Sequence, residues 1–367
     1  MSSAVEKSRA RSQRSKWIII GSVIGLLGLI AIGVGVGVGV SKHSSSSAAS
    51  KTTSGANTSG DTSGDTSGDP STFAKDPNLH QSFYALAYTP SGSQLPNCTN
   101  NLGGRYKGHS SLLYGADCNQ SALVLEAIKQ TKVDMEVFLG NYPTPDDATA
   151  YTRQRDEIKA AIQTYGTDHI AGITVGNEFM LNYLNAHGAT DPNSAIGDQA
   201  DTRSMLSGLE LSKTIPVGNS DAGSYFNTKV LEASDYGMAN VHPWFANVTV
   251  QEAAGWTAEF FEETNIQPAA LLSNNPKMYI AETGWPSQSS DAGNANNGAS
   301  DASEANLQIF LDTFVCQANQ NGTGYFYFEF LDEPWKDAQF GGVEGWWGLF
   351  HSNRTLKNIN LPNCTSS

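Results

Sequence analysis

Two short apolar stretches each end in a glutamate, and these glutamates are the residues best suited to chemistry. In ITVGNEF the stretch 173–176 leads to Asn177 and Glu178, and in MYIAETGWPS the stretch 278–281 leads to Glu282 before a Gly/Pro break. An acid at the end of a buried strand lies at a barrel mouth, where barrel enzymes keep their catalytic groups. A lone glutamate could simply open a surface loop, but two stretches of the same design favour a functional pair.

Two carboxyl groups that face each other over one barrel mouth suit the cleavage of a glycosidic bond. One protonates the leaving oxygen while the other attacks the anomeric carbon, and a separation of roughly 5–5.5 Å gives retention of configuration. We expect burial or the charge of Glu282 to raise the pKa of Glu178, which must start protonated. Glu282 must stay ionised, and Lys336, with Glu333 beside it, is the cation expected nearby.

Ring-bearing side chains at or just beyond the predicted strand ends are candidates for binding sugar. Sugar rings present apolar C–H faces, so exposed aromatic side chains along a groove are natural platforms for them. The candidates are Tyr88, Tyr114, His242, Trp244, Trp285 and Trp335. For Tyr114 and Trp244, packing into the upper rim of the barrel is an equally good interpretation. His242 is expected to form hydrogen bonds in the groove, since no serine or cysteine nucleophile is indicated near it.

Eight short apolar runs, several of them separated by amphipathic helices, are the elements that must position these groups. The runs are Phe83–Tyr88, Ser111–Tyr114, Val133–Leu139, Ile170–Val175, Ile215–Gly218, Gly237–His242, Met278–Glu282 and Gly324–Leu331. Strands that alternate with helices imply a parallel sheet, and eight of them in about 290 residues predict a (β/α)8 TIM barrel. A doubly wound sheet is the rival, but no glycine-rich phosphate loop follows any of these runs. Glu178 then ends the fourth strand and Glu282 the seventh.

Three amphipathic helices are predicted from apolar residues at helical spacing. The first is expected to begin with Thr144 as its cap and Pro145 at its first position, and to end at Gly166. The apolar faces are Ile158, Ala161, Ile162 and Tyr165 in the first helix, Val250, Ala253, Ala254, Thr257 and Phe261 in the second, and Leu307, Phe310, Leu311 and Phe314 in the third.

The segment between the first two strands departs from this alternation. TPSGSQLPNCTNNLGGRYKGHS is rich in glycine and has no 3.6-residue apolar stripe. The first helix of the barrel is therefore predicted to be missing or degenerate.

The N-terminal 78 residues predict a membrane anchor and a tether. Residues 1–16 are basic, and residues 17–40 carry no charge over a length that spans the roughly 30 Å core of a bilayer. This apolar run is longer than that of a cleaved signal peptide, which is the alternative, and the basic flank favours a cytoplasmic N-terminus. Residues 41–78 are rich in Ser, Thr and Gly and are expected to form a disordered linker. We thus expect a single-pass type II plasma-membrane protein whose barrel domain, residues 79–367, is extracellular.

Charge and cysteine usage fit that placement. The net charge is −14, with five basic residues before the apolar run, so the outer domain is acidic and a nucleic acid partner is disfavoured. The four cysteines form no CxxC pair that would suggest a metal site. Among three possible connectivities, proximity favours Cys98–Cys118 and Cys316–Cys364. Seven N-x-S/T sequons, at Asn57, Asn97, Asn119, Asn247, Asn321, Asn353 and Asn363, predict a glycoprotein.

Four motifs together resemble glycoside hydrolase family 17, the fungal β-1,3-glucanases. They are VGNE, MYIAETGWPS, LYGADCNQ and YFYFEFLDEPWK, and the resemblance runs from about Phe83 to Cys364. It implies retaining chemistry on β-1,3-glucan without a metal or organic cofactor. Glu178 matches the family's proton donor and Glu282 its nucleophile, while Glu333 and Lys336 match residues near nucleophile and substrate. Asn177 resembles the asparagine that contacts the sugar 2-hydroxyl in related barrels.

Two other functions stay open from the sequence. The same site could pass the glycosyl group to a second glucan, as a β-1,3-glucanosyltransferase does, or the domain could be an inactive glucan-binding wall protein. The N-terminal anchor with its Ser/Thr-rich tether resembles the membrane-anchored fungal branch of the family, and we expect a monomer.

Overall fold

Eight parallel strands form a closed barrel, which confirms the predicted barrel architecture. The computed structural model describes residues 79–364 except residues 91, 94, 97 and 100–109. The strands are Ala85–Ala87 (β1), Ser110–Leu112 (β2), Glu136–Asn141 (β3), Ile170–Val175 (β4), Val217–Ala222 (β5), Tyr236–Asn240 (β6), Lys277–Thr283 (β7) and Tyr325–Tyr327 (β8). Strand β1 pairs with both β2 and β8 and closes the barrel. Because all the strands run the same way, their carboxyl ends meet at one rim.

Helices cover the outside of this barrel. They are Gln120–Thr131 (α1), Ala150–Tyr165 (α2), Phe179–His187 (α3), Pro192–Ser207 (α4), Thr228–Glu232 (α5), Val250–Phe261 (α6), Gln267–Ala270 (α7), Glu304–Gln320 (α8) and Pro334–Phe340 (α9). Apart from the half-buried Tyr165, the apolar faces predicted for α2, α6 and α8 are buried against the strands. The predicted start of α2 at Thr144 is wrong. Thr144 forms an isolated antiparallel bridge with Asp147, and the helix begins at Ala150.

Large side chains fill the interior of the barrel where glycines make room for them. Tyr236 lies inside, and its hydroxyl is 2.9 Å from the Thr174 hydroxyl. A Cβ atom at Gly218 would come within 2.3 Å of the Tyr236 ring. Phe138 and Phe326 pack edge to face beside it at 5.5 Å. The interior is thus a packed core below the rim, so chemistry is confined to the rim itself.

Strand β5 is the strand whose limits differ most from the prediction. Ile215–Gly218 was expected, whereas the strand is Val217–Ala222, and its polar residues Asn219, Ser220 and Asp221 are all 2% exposed or less. These residues interrupt the apolar run, so hydrophobic pattern alone ends the strand too early. Their burial requires polar partners.

The described residues of the segment before β2 contain no helix, but residues 91, 94, 97 and 100–109 lie outside the described part, so the missing first helix stays a prediction. The disulfides Cys98–Cys118 and Cys316–Cys364 are present, which confirms the predicted pairing. The first ties this segment to the start of α1, and the second ties the C-terminus to α8.

The predicted anchor and linker, residues 17–78, lie outside the described residues. Within the described part of the chain, no helix has the length and apolar character needed to cross a membrane.

Candidate active site

Glu178 lies at the rim on a tight turn between β4 and α3. Its own backbone is left-handed, with φ 53° and ψ 34°, and Gly176 before it has φ +103°. Asn240, the last residue of β6, donates a hydrogen bond from Nδ2 to Glu178 Oε1 at 3.1 Å. Burial, and then the negative charge of Glu282, raise the pKa of Glu178 to about 7. Glu178 is therefore suited to act as a proton donor near neutral pH, as expected.

Glu282 lies near the end of β7 and is 8% exposed. His242 Nε2 is 2.9 Å from Glu282 Oε2 and donates a hydrogen bond when that nitrogen carries the proton. The Tyr114 hydroxyl is buried, and its pKa is raised well above its usual value by burial and by the charge of Glu282. Tyr114 therefore faces this carboxylate as a neutral phenol. The assignment of Tyr114 and His242 as substrate-binding residues stays a prediction.

Lys336 was expected near Glu282, but its ion pairs are with two other glutamates. Its Nζ lies 2.7 Å from Glu329 Oε2 and 2.7 Å from Glu333 Oε2, on the rim of β8. Burial opposes the charge of Lys336, but the two carboxylates outweigh burial and raise its pKa above the usual value. The Lys336 ammonium is thus paired with Glu329 and Glu333, whereas His242 contacts Glu282.

A cavity of about 940 Å³ opens over the two glutamates. Glu178 and Glu282 both line it, together with the turns that follow β5, β6, β7 and β8. Glu344 also lines the cavity, and burial raises its pKa. Sequence reasoning missed Glu344 and Glu329. Glu329 could have been found, because it follows the apolar run of β8 in the way that Glu178 and Glu282 follow theirs.

The predicted aromatic platforms separate into two groups. Trp244 lines the cavity although it is 5% exposed, whereas Trp285 is fully buried. Trp285 packs edge to face on Trp244 at 5.3 Å and donates its indole N–H to the backbone carbonyl of Asp301. The prediction of Trp285 as a sugar platform is therefore wrong, because its ring faces the wall of the barrel.

The remaining predicted binding residues lie around the same rim. Tyr88 is half-buried and packs edge to face on Phe330, away from the cavity wall. Trp335 on α9 is 38% exposed, with the Lys336 ammonium 5.7 Å from its ring centroid. Asn177 accepts a long hydrogen bond, 3.4 Å, from Asn240. Of these three, Trp335 is the most exposed, and none of them lines the cavity.

Known proteins resemble this chain in sequence and fold. A family model described as the BtgE/BtgC glycoside hydrolase domain matches residues 104–348. The "probable glucan endo-1,3-beta-glucosidase btgC" of Aspergillus flavus is 34% identical over 311 residues, which cover 79% of this chain and 45% of that protein. The glucan endo-1,3-beta-glucosidase btgC of Emericella nidulans is 34% identical over 310 residues, 78% of this chain and 47% of its own length. The chain thus spans less than half the length of these curated relatives.

Solved structures share the fold. A β-1,3-glucanosyltransferase of Rhizomucor miehei, an active-site mutant in complex with laminaritriose, matches with a TM-score of 0.62 and 23% identity, over 79% of this chain and all of that one. An endo-laminarinase of Formosa matches with a TM-score of 0.63 and 20% identity, over 76% and 86% of the two chains. At such identities the likeness concerns the barrel. The family match over residues 104–348, together with the two glutamates at the rim of this barrel, places the chain in the BtgE/BtgC glycoside hydrolase family.

Proposed function

We propose that the barrel domain hydrolyses β-1,3-glucan with retention of configuration, with Glu178 as general acid/base and Glu282 as nucleophile. The observation that carries this proposal is one cavity lined by two glutamates in different surroundings. Glu178 has a pKa raised to about 7, and Glu282 is contacted by His242. The names of the curated relatives support the choice of glucan as substrate.

The chemistry follows from these two environments. In the first step Glu178 donates its proton to the glycosidic oxygen while Glu282 attacks the anomeric carbon, so the aglycone leaves and a glycosyl-enzyme forms. In the second step the ionised Glu178 removes a proton from water, and the water oxygen displaces Glu282 from the anomeric carbon. His242 and Tyr114 stabilise the Glu282 carboxylate before attack and after release. In this proposal the sugar chain extends toward the β8 side of the rim, where Trp335 is exposed beside Glu333 and Lys336.

Product analysis on defined laminari-oligosaccharides tests this function. We expect wild-type protein to release shorter β-1,3-oligosaccharides whose newly formed reducing ends first appear as the β-anomer by NMR. Products longer than the substrate would instead identify a glucanosyltransferase. If wild type and Glu282→Ala release sugar at the same negligible rate, the domain is a glucan-binding protein and the enzymatic proposal is abandoned.

We further propose that residues 17–40 anchor the protein in the plasma membrane with the barrel domain facing the cell wall. Support comes from the apolar run with its basic N-terminal flank and from two disulfides, which form in oxidising compartments. Protease added to intact protoplasts is expected to remove the barrel and leave the N-terminal segment. A barrel that stays protected in intact cells but is digested after lysis would contradict this topology.

A further inference from the structure

The turn that carries Glu178 leaves the start of helix α3 without a cap of its own. Glu178 occupies the N-cap position of α3, yet its side chain makes no capping hydrogen bond. The carboxyl group instead reaches into the cavity, where Asn240 binds it. The first N–H groups of a helix have no acceptor inside the helix, and an N-cap side chain normally supplies one. A residue used for chemistry cannot serve as the cap, so another group must do so.

Asp221 on β5 supplies the missing acceptor. Its Oδ2 accepts a hydrogen bond from the backbone N–H of Met180 at 2.9 Å, and its Oδ1 accepts one from Ala222 N–H at 2.9 Å. Asp221 is 1% exposed and is not among the residues that line the cavity. A carboxyl group is costly to bury, so its burial here indicates a specific use of these hydrogen bonds.

Asn219 on the same strand holds the other side of the turn. Its Nδ2 donates to the backbone carbonyl of Val175 at 2.7 Å. A Cβ atom at Gly176 would approach the same Nδ2 to 2.5 Å, so the turn can lie this close to β5 only because that residue is glycine. Strand β5 thus binds the chain on both sides of Glu178, before it at Val175 and after it at Met180.

We propose that Asp221 is a positioning residue for the general acid: by capping α3 from the neighbouring strand, it fixes the left-handed turn that aims the Glu178 carboxyl group at the leaving oxygen. This inference depends on the proposed glycoside hydrolase function. Left-handed backbone is unfavourable for a residue other than glycine and persists only where surrounding contacts hold it. Without Asp221 the turn relaxes, and Glu178 moves relative to the substrate while Glu282 on β7 stays in place.

Two substrates that differ in their need for a general acid can distinguish a loss of Glu178 positioning from a general loss of protein stability. A sugar alkoxide leaves only when it is protonated, whereas a 2,4-dinitrophenolate leaves without a proton. The test compares kcat/KM for laminaripentaose with kcat/KM for 2,4-dinitrophenyl β-laminaribioside, since kcat/KM covers the steps up to the glycosyl-enzyme. We expect Asp221→Ala to lower the first value about 100-fold, a loss that a displacement of about 1 Å can cause. The second value should fall no more than about threefold, because it does not draw on general acid catalysis.

Two further variants complete the experiment. Asp221→Asn keeps an oxygen that can accept from Met180 N–H and should recover activity on laminaripentaose to within about tenfold of wild type. Asp191→Ala is the matched control, because Asp191 caps α4 by accepting from Asn193 N–H at 3.0 Å. It should lower the melting temperature, as the loss of a cap does, and leave the ratio of the two kcat/KM values unchanged.

Equal losses on the two substrates in both Asp221 variants would overturn the positioning role. Unchanged activity on laminaripentaose in folded Asp221→Ala would overturn it as well. If Asp221→Ala does not fold, Asp221→Asn alone decides, through the same ratio. Failure of the proposed function gives a different result, because wild-type protein would then cleave neither substrate.

Discussion

The β4 rim and the β7 rim hold the same kind of residue in opposite surroundings. Glu178 follows β4 on a left-handed turn and accepts a hydrogen bond from the Asn240 amide, with Glu282 as the next largest influence after burial. Glu282 lies within β7 on extended backbone and contacts His242. Burial and the nearby negative charge of Glu282 favour the protonated form of Glu178, and they outweigh the Asn240 amide, whose N–H favours the carboxylate. The two glutamates therefore differ in their surroundings in the way that the two proposed roles require.

The largest expected effect comes from removing the two carboxyl groups in turn. Glu282→Gln should lower kcat/KM by about 10⁴-fold or more on laminaripentaose and on the dinitrophenyl glycoside alike, because the nucleophile is needed whatever the leaving group. Glu178→Gln should cause a loss of about 10²–10⁴-fold on laminaripentaose and a much smaller one on the dinitrophenyl glycoside. Steady-state kinetics on both substrates measure this contrast, and the reverse pattern would exchange the two roles.

His242 gives the next largest effect. His242→Ala removes the contact with Glu282, and a hydrogen bond to a charged group contributes about 1.5–3 kcal/mol, which corresponds to about 10–100-fold in kcat/KM. We expect the loss to be equal for both leaving groups, since the nucleophile side is affected. Lys336→Ala is the informative comparison, because Lys336 pairs with Glu329 and Glu333 instead. Lys336→Ala should raise KM for long glucans. If it instead lowers kcat/KM as much as His242→Ala does, and equally for both leaving groups, Lys336 acts on the nucleophile Glu282.

The sequence predicts the two glutamates well because a single acid after an apolar run is a local signal. Strand β5 lacks that signal, since Asn219, Ser220 and Asp221 are polar and yet buried. Asn219 and Asp221 form hydrogen bonds to the neighbouring β4–α3 turn, which pattern alone does not reveal.

Side-chain direction beyond a strand end is equally hard to predict. Trp285 follows Glu282 by three residues and faces the wall, and Lys336 follows Glu333 and turns to Glu329. The direction of Trp285 depends on packing against Trp244, 41 residues earlier, and the direction of Lys336 depends on how the chain after β8 folds back on Glu329. The barrel and the position of the two glutamates at its rim could therefore be predicted, whereas the contacts around them could not.

The pH dependence of activity gives a smaller but direct measure of the difference between the rims. The pKa of Glu178 is raised to about 7, so the acid loses its proton as the pH rises through that value. We expect kcat/KM on laminaripentaose to be half-lost near pH 7, to level off about one unit below it and to approach a tenfold fall per unit well above it. The dinitrophenyl glycoside should lack this alkaline limb. An alkaline limb of the same midpoint on both substrates would assign it to a group other than the general acid.

The smallest expected effect is on protein stability. It reports the surroundings of Glu178 without any measurement of activity. A carboxyl group whose pKa is raised in the folded state binds its proton more tightly there than in the unfolded chain, so stability falls as pH rises from about 4.5 to about 7. Glu178→Gln cannot ionise and escapes this loss. Its melting temperature relative to wild type should therefore rise by about 2–6 °C between pH 4.5 and pH 8 in calorimetric scans. Glu259→Gln, at an exposed position on α6, is the control and should show no such trend. A constant difference for Glu178→Gln across that range would mean that burial does not hold the acid in its protonated form.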